Sequence, residues 1–449
     1  MRRLTLKAAL VAATFLIAGP ALAETVAIIN ARILTAGPAG EIASGTVVIR
    51  DQKIAAVGAG AAVPAGARVI DAQGGVVTPG FVASDSALGA VEVGALGDDV
   101  TATNPDLGAA FDVQYGLNPD SVLIPVARMG GITRAIVTPT PSGSGLTAHE
   151  HETAGGEGEG LPRTTRLFSG QAAVIQLAEG STDMVVRAKV AQVSPWGEQG
   201  ADIAGGTRGI HYVAVKNALD DVRWYMRNRA AFNQGATRGL VLSRADLEAL
   251  VPVVEGRMPL ILYANKASDI RTALKLAREE NIRIIIDGAN EGWRVAREIA
   301  AARVPVIVYP LQDLPSDFES VGSTLENAGI LAKAGVTVVL KAAEGGAHRV
   351  RETRYDAGNA VAHGMPYQAA LEAITINPAK VFGVADSMGS LEVGKDADVV
   401  VWTGDPFEPL SQPVAVFIQG KQQPLTSRQE KLRQRYQDLN RPYPPAYSY

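Results

Sequence analysis

A pair of closely spaced histidines is the most evident group in this sequence whose residue types could do chemistry. The chain has five histidines, and His149 and His151 flank Glu150. Two imidazoles at this spacing, with the glutamates of the segment 154–160, could bind a divalent metal. The glycines of that segment are equally typical of an exposed, flexible loop. Both interpretations stay open.

His348 is the second candidate because it follows closely after an apolar strand pattern at 336–340. A histidine at that place, near Glu344, could act as an acid, a base or a metal ligand. It could also be a solvated loop residue. His211 and His363 lie in helix-like surroundings, so we expect structural roles for them.

The elements that must position these residues change character along the chain. Residues 25–77 read as short strands, with a hairpin turn at Asp51-Gln52. From about residue 243, helical stretches alternate with short, wholly apolar strands at 260–262, 282–286, 306–308 and 336–340. Such repeats are typical of parallel βα units whose sheet is covered by helices.

Capping patterns predict where several helices begin. Ser243 and Asp246 form a capping box, as do Ser323 and Glu326. A further helix is expected from about Tyr367 to Phe382. Strand patterns then return at 389–394, 399–402 and 414–418, and they predict a β domain that combines both ends of the chain.

Composition places the chain among ordinary globular proteins. Its 449 residues are 47% hydrophobic and 20% charged, with a formal net charge of −4 and no cysteine. The charge gives no reason to expect nucleic acid or anionic lipid as a partner. The lack of cysteine excludes disulfides, thiol nucleophiles and thiolate metal ligands.

The first residues have the pattern of a secretory leader. Arg2, Arg3 and Lys7 precede an apolar stretch at 8–18, and Ala21-Leu22-Ala23 fits a signal-peptidase site. We therefore expect export, cleavage after Ala23 and a periplasmic location. The stretch is too short to span a bilayer comfortably, so no membrane attachment is expected after cleavage.

Five segments along the chain carry a family resemblance, namely the hairpin at 46–58, Thr78-Pro-Gly-Phe-Val82, Met129-Gly-Gly-Ile-Thr133, Thr375-Ile-Asn-Pro-Ala379, and 389–401 with Gly394-Lys-Asp-Ala-Asp398. In this order they resemble the amidohydrolase superfamily and most closely its imidazolonepropionase-like branch. The resemblance implies an α/β fold with a TIM-like (β/α)8 barrel inserted in a small composite β-sandwich domain. The expected divisions are a signal peptide at 1–23, the composite domain at 24–78 and 385–425, the barrel at 79–384 and a charged, Pro- and Tyr-rich tail at 426–449.

The resemblance departs from the family at the positions that carry its metal ligands. Where the family has Asp-x-His-x-His, this chain has Ala83-Ser-Asp85-Ser-Ala87. The fifth strand ends in Tyr263 instead of histidine, with Asn265 at a second position that is often histidine. The sixth strand ends in Asp287-Gly288, and Lys341-Ala-Ala343 stands where the eighth strand has a Ser-Asp or Thr-Asp pair. Lys189 is the candidate for the strand-four position.

These replacements leave few metal donors. A catalytic zinc needs about three protein ligands and an open position, and only Asp85 and Asp287 could still coordinate. We therefore expect no cofactor; if the site has been rebuilt, it would hold a divalent metal such as zinc, with Asp85, Asp287, His149 and His151 as candidate ligands. Asp85, Asp287 and His348 are the candidate catalytic residues.

The polar residues at the strand ends predict a pocket at the barrel mouth. Tyr263, Asn265 and Lys341 are its candidate ligand-binding residues, with Lys266 and Asn290 nearby. Lys341 could replace the charge of the missing cation and neutralise Asp85 or Asp287.

Three functions follow as hypotheses. The first is an exported, catalytically degenerate relative of hydrolases of non-peptide C–N bonds, acting as a ligand-binding subunit or as the partner of an active homologue, in a homo-oligomer or a mixed assembly. The second is an active metal-dependent hydrolase of amides or cyclic amides. The third is a periplasmic binding protein for small molecules.

Overall fold

A computed structural model describes residues 24–92, 99–102, 104, 106–141, 167–236, 239–315, 317–342, 347–437 and 440. Strands in these ranges form two sheets. The strands are β1 (Val26–Leu34), β2 (Glu41–Arg50), β3 (Lys53–Gly58), β4 (Arg68–Asp71), β5 (Val76–Pro79), β6 (Phe81–Ser86), β7 (Ile132–Val137), β8 (Gly170–Gln176), β9 (Val185–Pro195), β10 (Leu260–Ala264), β11 (Ile284–Gly288), β12 (Val306–Val308), β13 (Val338–Leu340), β14 (Val399–Trp402), β15 (Pro413–Ile418) and β16 (Lys421–Gln422).

In the described ranges, eight helices lie between strands of the second sheet along the chain, and four follow its last strand. They are α1 (Leu123–Arg128), α2 (Gly197–Ile203), α3 (Arg208–Arg227), α4 (Arg229–Asn233), α5 (Arg244–Val254), α6 (Ala267–Glu280), α7 (Ala296–Ala302), α8 (Asn327–Lys333), α9 (Thr353–Ala362), α10 (Tyr367–Ala373), α11 (Ile376–Val381) and α12 (Arg428–Tyr436), with short 3-10 helices at Val113–Gly116, Gly292–Val295 and Ala347–Glu352. Within the described ranges, no helix combines the length and hydropathy needed to cross a bilayer.

The first sheet combines strands from both ends of the chain, as the sequence predicts. Its order is β16-β15-β14-β5-β1-β2-β3, with β4 paired to β1. The predicted hairpin turn joins β2 to β3, and Asp51 and Gln52 both adopt positive φ, at 50° and 69°. Two central residues with positive φ match the right-handed twist of the flanking strands.

The second sheet is the predicted eight-stranded barrel. Its strands follow the chain in order from β6 to β13, and all neighbours pair in parallel except at β8, which runs antiparallel to both β7 and β9. A direct hairpin between β8 and β9 replaces the crossover that a parallel pair requires. The third strand is therefore reversed relative to a regular (β/α)8 barrel.

The motif Thr375-Ile-Asn-Pro-Ala379 lies at the seam between the first and last barrel strands. The Val82 amide of β6 donates to the Ile374 carbonyl at 2.9 Å. The Asn377 side chain donates to the Val338 carbonyl of β13, also at 2.9 Å. These bonds satisfy backbone groups that a neighbouring strand would otherwise pair. The predicted single helix is consequently two, α10 and α11, which are interrupted at this contact.

A buried arginine joins the two sheets. Arg134 of β7 donates to Asp398 Oδ2 at 2.5 Å and to Asp396 Oδ2 at 3.0 Å. Burial opposes the charged guanidinium, but the two carboxylates outweigh it and raise the pKa of Arg134 above its ordinary value. The two aspartates of the Gly394-Lys-Asp-Ala-Asp398 motif therefore anchor the composite sheet to the barrel.

The capping predictions had mixed outcomes. Ser243 caps α5 and accepts a hydrogen bond from the Asp246 amide, which confirms that helix start. The Asp246 carboxylate instead accepts from the amides of Gly108 and Ala110. The capping box at Ser323 and Glu326 was wrong, because α8 begins only at Asn327, after both residues.

Candidate functional site

Lys341 lies between two carboxylates at the carboxyl ends of the barrel strands. It directly follows β13 and its side chain is 2% exposed. Its Nζ is 2.6 Å from Asp85 Oδ2 and 2.6 Å from Asp287 Oδ1. One ammonium thus binds a carboxylate from the first barrel strand and another from the sixth.

The local backbone of β6 turns Asp85 towards this cluster. Asp85 has a φ of 49°, and the register between β6 and β7 shifts between Ala83 and Ser86. A shift of this kind re-aims a side chain at the end of a strand. Positive φ is uncommon for residues other than glycine and is found at functional sites. The carboxylate position therefore depends on an irregular strand end.

The other oxygen of Asp85 accepts two hydroxyl hydrogen bonds. Thr138 Oγ1 donates to Asp85 Oδ1 at 2.5 Å, and Tyr263 Oη donates to the same oxygen at 2.8 Å. Thr138 is a member of the cluster that the sequence reasoning missed. The sequence could have indicated Thr138, because it directly follows the apolar pair Ile136-Val137 at the strand end where barrel sites gather.

The cluster stabilises the ionised form of Asp85. Burial by itself would raise the pKa of this carboxyl, but the Lys341 ammonium and the hydrogen bonds from Lys341, Thr138 and Tyr263 bring the pKa below its ordinary value. The Lys341 ammonium also lies 5.5 Å from the centre of the Tyr263 ring, within cation–π range.

Asn265 lies against the end of β11, where Asp287 is located. Its Oδ1 would be 2.2 Å from a Cβ built on Gly288, whose φ is 89°. Glycine is required there both for the backbone conformation and for the close approach of the amide. Asn265 Oδ1 is buried and has no hydrogen-bond partner among the described residues. Lys266 and Asn290 are half-buried near these strand ends.

The remaining candidates are not brought into the cluster. His348 is exposed on the 3-10 helix Ala347–Glu352, and within the described ranges no hydrogen bond or ion pair connects it to Asp85, Asp287 or Lys341. Lys189 precedes the mouth end of β9, where Pro195 pairs with Tyr263. The Lys189 ammonium is instead 3.8 Å from Asp112. His149, His151 and Glu344 lie outside the described residues.

The described donors around Asp85 and Asp287 do not by themselves fit a divalent metal. The described part of the chain contains no group of three or more histidine, aspartate or glutamate side chains placed to hold an ion. An ion between the two carboxylates would meet the Lys341 ammonium, which carries the same sign of charge and already binds both groups. Tyrosine and threonine hydroxyls are poor substitutes for imidazole as zinc ligands.

Two features together define the class of fold. An eight-stranded barrel is attached to a sheet built from both chain ends, and a polar cluster lies at the carboxyl ends of the barrel strands. The model of the amidohydrolase family matches residues 294–423. A crystal structure of an amidohydrolase from Thermotoga maritima MSB8 has a TM-score of 0.75 and 25% identity, over 88% of this chain and 99% of that one. Residues 294–423 and the fold as a whole are thus similar to the amidohydrolase superfamily, as the sequence motifs predict.

Three further similarities are more limited. Molinate hydrolase has a TM-score of 0.51 at 19% identity, over 90% of this chain and 95% of that one. A prolidase complexed with N-methylphosphonate-L-proline has a TM-score of 0.51 at 17% identity, over 89% and 99%. At these identities the likeness concerns the fold. The amidohydrolase tasK of Hapsidospora irregularis is 43% identical over 61 residues, which are 14% of this chain and only 6% of that curated relative.

Proposed function

We propose that this protein is an exported, catalytically degenerate amidohydrolase that binds a small polar molecule at the barrel mouth and does not hydrolyse it through a metal. The position of Lys341, 2.6 Å from both Asp85 and Asp287, is the observation that carries the proposal. Export is proposed on the leader pattern of residues 1–23.

The lysine supplies charge without the chemistry of a metal. A metal ion in a hydrolase activates bound water and polarises the scissile carbonyl at an open coordination position. An ammonium has three donors and no acceptor, and two donors of Lys341 are directed at Asp85 and Asp287. It binds both carboxylates and compensates one of their two negative charges, but it does not generate a hydroxide nucleophile.

A polar ligand matches what the strand ends still offer. Asn265 Oδ1 is buried without a hydrogen-bond partner among the described residues, and leaving such a group unsatisfied is costly. A donor from a bound molecule would satisfy it. The carboxylate of Asp85, held ionised by its neighbours, adds a second acceptor at the mouth.

Metal content is the measurement that tests the proposal. The full-length protein, purified without chelator and then exposed in turn to Zn²⁺, Mn²⁺ and Mg²⁺, should retain no metal above background by elemental analysis. The paired variant Asp85→Ala with Asp287→Ala serves as the control. About one or two tightly held ions per chain, lost in that variant, would overturn the proposal and favour an active hydrolase of amides or cyclic amides.

Two further readouts separate the binding roles. A small-molecule role predicts a higher melting temperature with ligand and no turnover of that compound. A partner role predicts that an intact homologue co-purifies and is identified by mass spectrometry. Turnover of an amide by metal-free protein would refute the proposed loss of catalysis.

A further inference from the structure

A cavity beside the barrel, between α2, α3 and α6, has the features of a second binding site. Its volume is about 320 Å³, at the lower end of the roughly 300–1,000 Å³ typical of small-molecule sites. None of its lining residues belongs to the Lys341 cluster. The residues that define it are Trp196, Arg208, Gly209, His211, Tyr212 and Lys275.

Aromatic rings form the walls of this cavity. The rings of Trp196 and His211 meet edge to face with centroids 5.0 Å apart, and those of Trp196 and Tyr212 do so at 6.2 Å. The Trp196 indole is fixed by a hydrogen bond from Nε1 to the Asp269 carbonyl at 3.1 Å. Fixed aromatic surfaces favour a flat apolar or aromatic ligand, which can pack against them at little entropic cost.

His211 is the polar group of the cavity that lacks a protein partner. It is 2% exposed, and its Nε2 has no hydrogen-bond partner among the described residues. Burial lowers the pKa of His211 to about 4, so the imidazole is neutral at pH 7. A neutral imidazole has one donor and one acceptor nitrogen, and it would suit a neutral hydrogen-bonding group.

The charged residues at the rim are already paired. Arg208 binds Asp269 at 2.9 Å and Glu319 at 2.7 Å, and Lys275 is 3.7 Å from Glu279. Both cations at the rim are thus paired, and Arg208 alone serves two carboxylates, so an aromatic acid would meet net negative charge there. This argues against aromatic acids as occupants.

We infer that the cavity between α2, α3 and α6 is a binding site for a flat aromatic molecule that has no negative charge and carries one hydrogen-bonding group. The ring packs against Trp196 and Tyr212, and the polar group bonds to the His211 imidazole. This site is independent of the proposed function, because none of its lining residues is among the partners of Asp85 and Lys341 described above.

A matched pair of ligands tests the charge argument. Binding of 4-hydroxybenzamide and 4-hydroxybenzoate to the full-length protein can be measured by isothermal titration calorimetry. The uncharged amide should bind saturably and at least about tenfold more tightly than the acid. Equal or tighter binding of the acid, or no binding of the amide, would overturn the inference.

Two variants locate the site. A Cβ at Gly209 meets no atom within 4 Å, so Gly209→Leu should fold and fill part of the cavity. The second variant, His211→Phe, keeps an aromatic ring but removes the ring nitrogens. Each should weaken amide binding at least about tenfold. Gly60→Leu, at another glycine with open space around it, is the matched control and should bind as the wild type does. Undiminished binding in Gly209→Leu, with its fold verified by circular dichroism, would place the ligand elsewhere and refute the assignment.

Discussion

Replacing Lys341 with methionine should destabilise the folded protein substantially. The substitution keeps a long apolar stem but leaves the carboxylates of Asp85 and Asp287 without their shared cation, with exposed side-chain fractions of 13% and 1%. Removing one partner of a buried ion pair costs about 3–5 kcal/mol, because the remaining charge is left uncompensated.

The corresponding change in melting temperature follows from the size of the chain. With about 2.1 cal/mol/K of unfolding entropy per residue, a chain of 449 residues has roughly 0.9 kcal/mol/K. A loss of about 3–5 kcal/mol then lowers the melting temperature by roughly 3–6 °C. Differential scanning calorimetry of Lys341→Met beside the wild type measures this change.

Two companion variants separate charge from packing. Combining Lys341→Met with Asp85→Asn and Asp287→Asn removes all three charges and should recover at least about half of the loss, since neutral amides are less costly to bury. Lys333→Met removes an exposed ammonium and should change the free energy of unfolding by no more than about 0.5 kcal/mol. A melting temperature for Lys341→Met within about 1 °C of the wild type, or no recovery in the triple variant, would refute the reasoning.

Three further predictions concern one glycine beside the Lys341 cluster and two buried titratable residues elsewhere. Gly288→Ala should lower the free energy of unfolding by at least about 1 kcal/mol in urea titrations, because φ is 89° and the added Cβ would approach Asn265. Adding Asn265→Ala should recover only the part of this loss that comes from the contact with Asn265. Burial lowers the pKa of His211 to about 4, against an ordinary value of 6.5. Its contribution to the free energy of unfolding is therefore complete above pH 6.5 and decreases by about 3 kcal/mol as pH falls towards 4. His211→Phe should lack this decrease, and unfolding free energies that fall in parallel with pH in the variant and the wild type would contradict the assignment. Burial, with the nearby charge of Glu352, raises the pKa of Asp356 from 3.8 to about 7. Its contribution to the free energy of unfolding is therefore complete below pH 3.8 and is lost as pH rises through 7. Asp356→Asn should be more stable than the wild type at pH 8, and a less stable variant at that pH would contradict the prediction.

Local sequence signals predicted those parts of the fold that depend on few residues. The turn at Asp51-Gln52 needs only two residues that tolerate positive φ, and the Ser243 cap needs one hydroxyl near the first turn of α5. The Ser323 prediction was wrong for a physical reason. Ser320 and Ser323 lie in a chain of local turns that begins at Asp317, and such side-chain and backbone bonds compete with helix formation.

The cluster was only partly predictable for a different reason. Family resemblance indicated that Asp85, Asp287 and Lys341 stand at equivalent strand ends, so their proximity could be expected. The register shift at Asp85 and the bond from Thr138 depend on how β6 and β7 pair, and no pattern within either strand encodes that pairing. The reversal of β8 is likewise a property of its hairpin with β9, which residues 177–184 make possible.

The union of both chain ends in one sheet also has a consequence for how the protein acquires its structure. The indole of Trp402 donates to the hydroxyl of Thr78, a residue 324 positions earlier, and β14 pairs directly with β5. Contacts so distant in sequence slow folding, because a long loop must close before they form. During synthesis, the edge of β5 that pairs with β14 stays unpaired until nearly the whole chain has been made. Exposed edges of this kind invite aggregation, so a chaperone that holds the nascent chain should increase the yield of this protein more than that of one whose sheet is completed early.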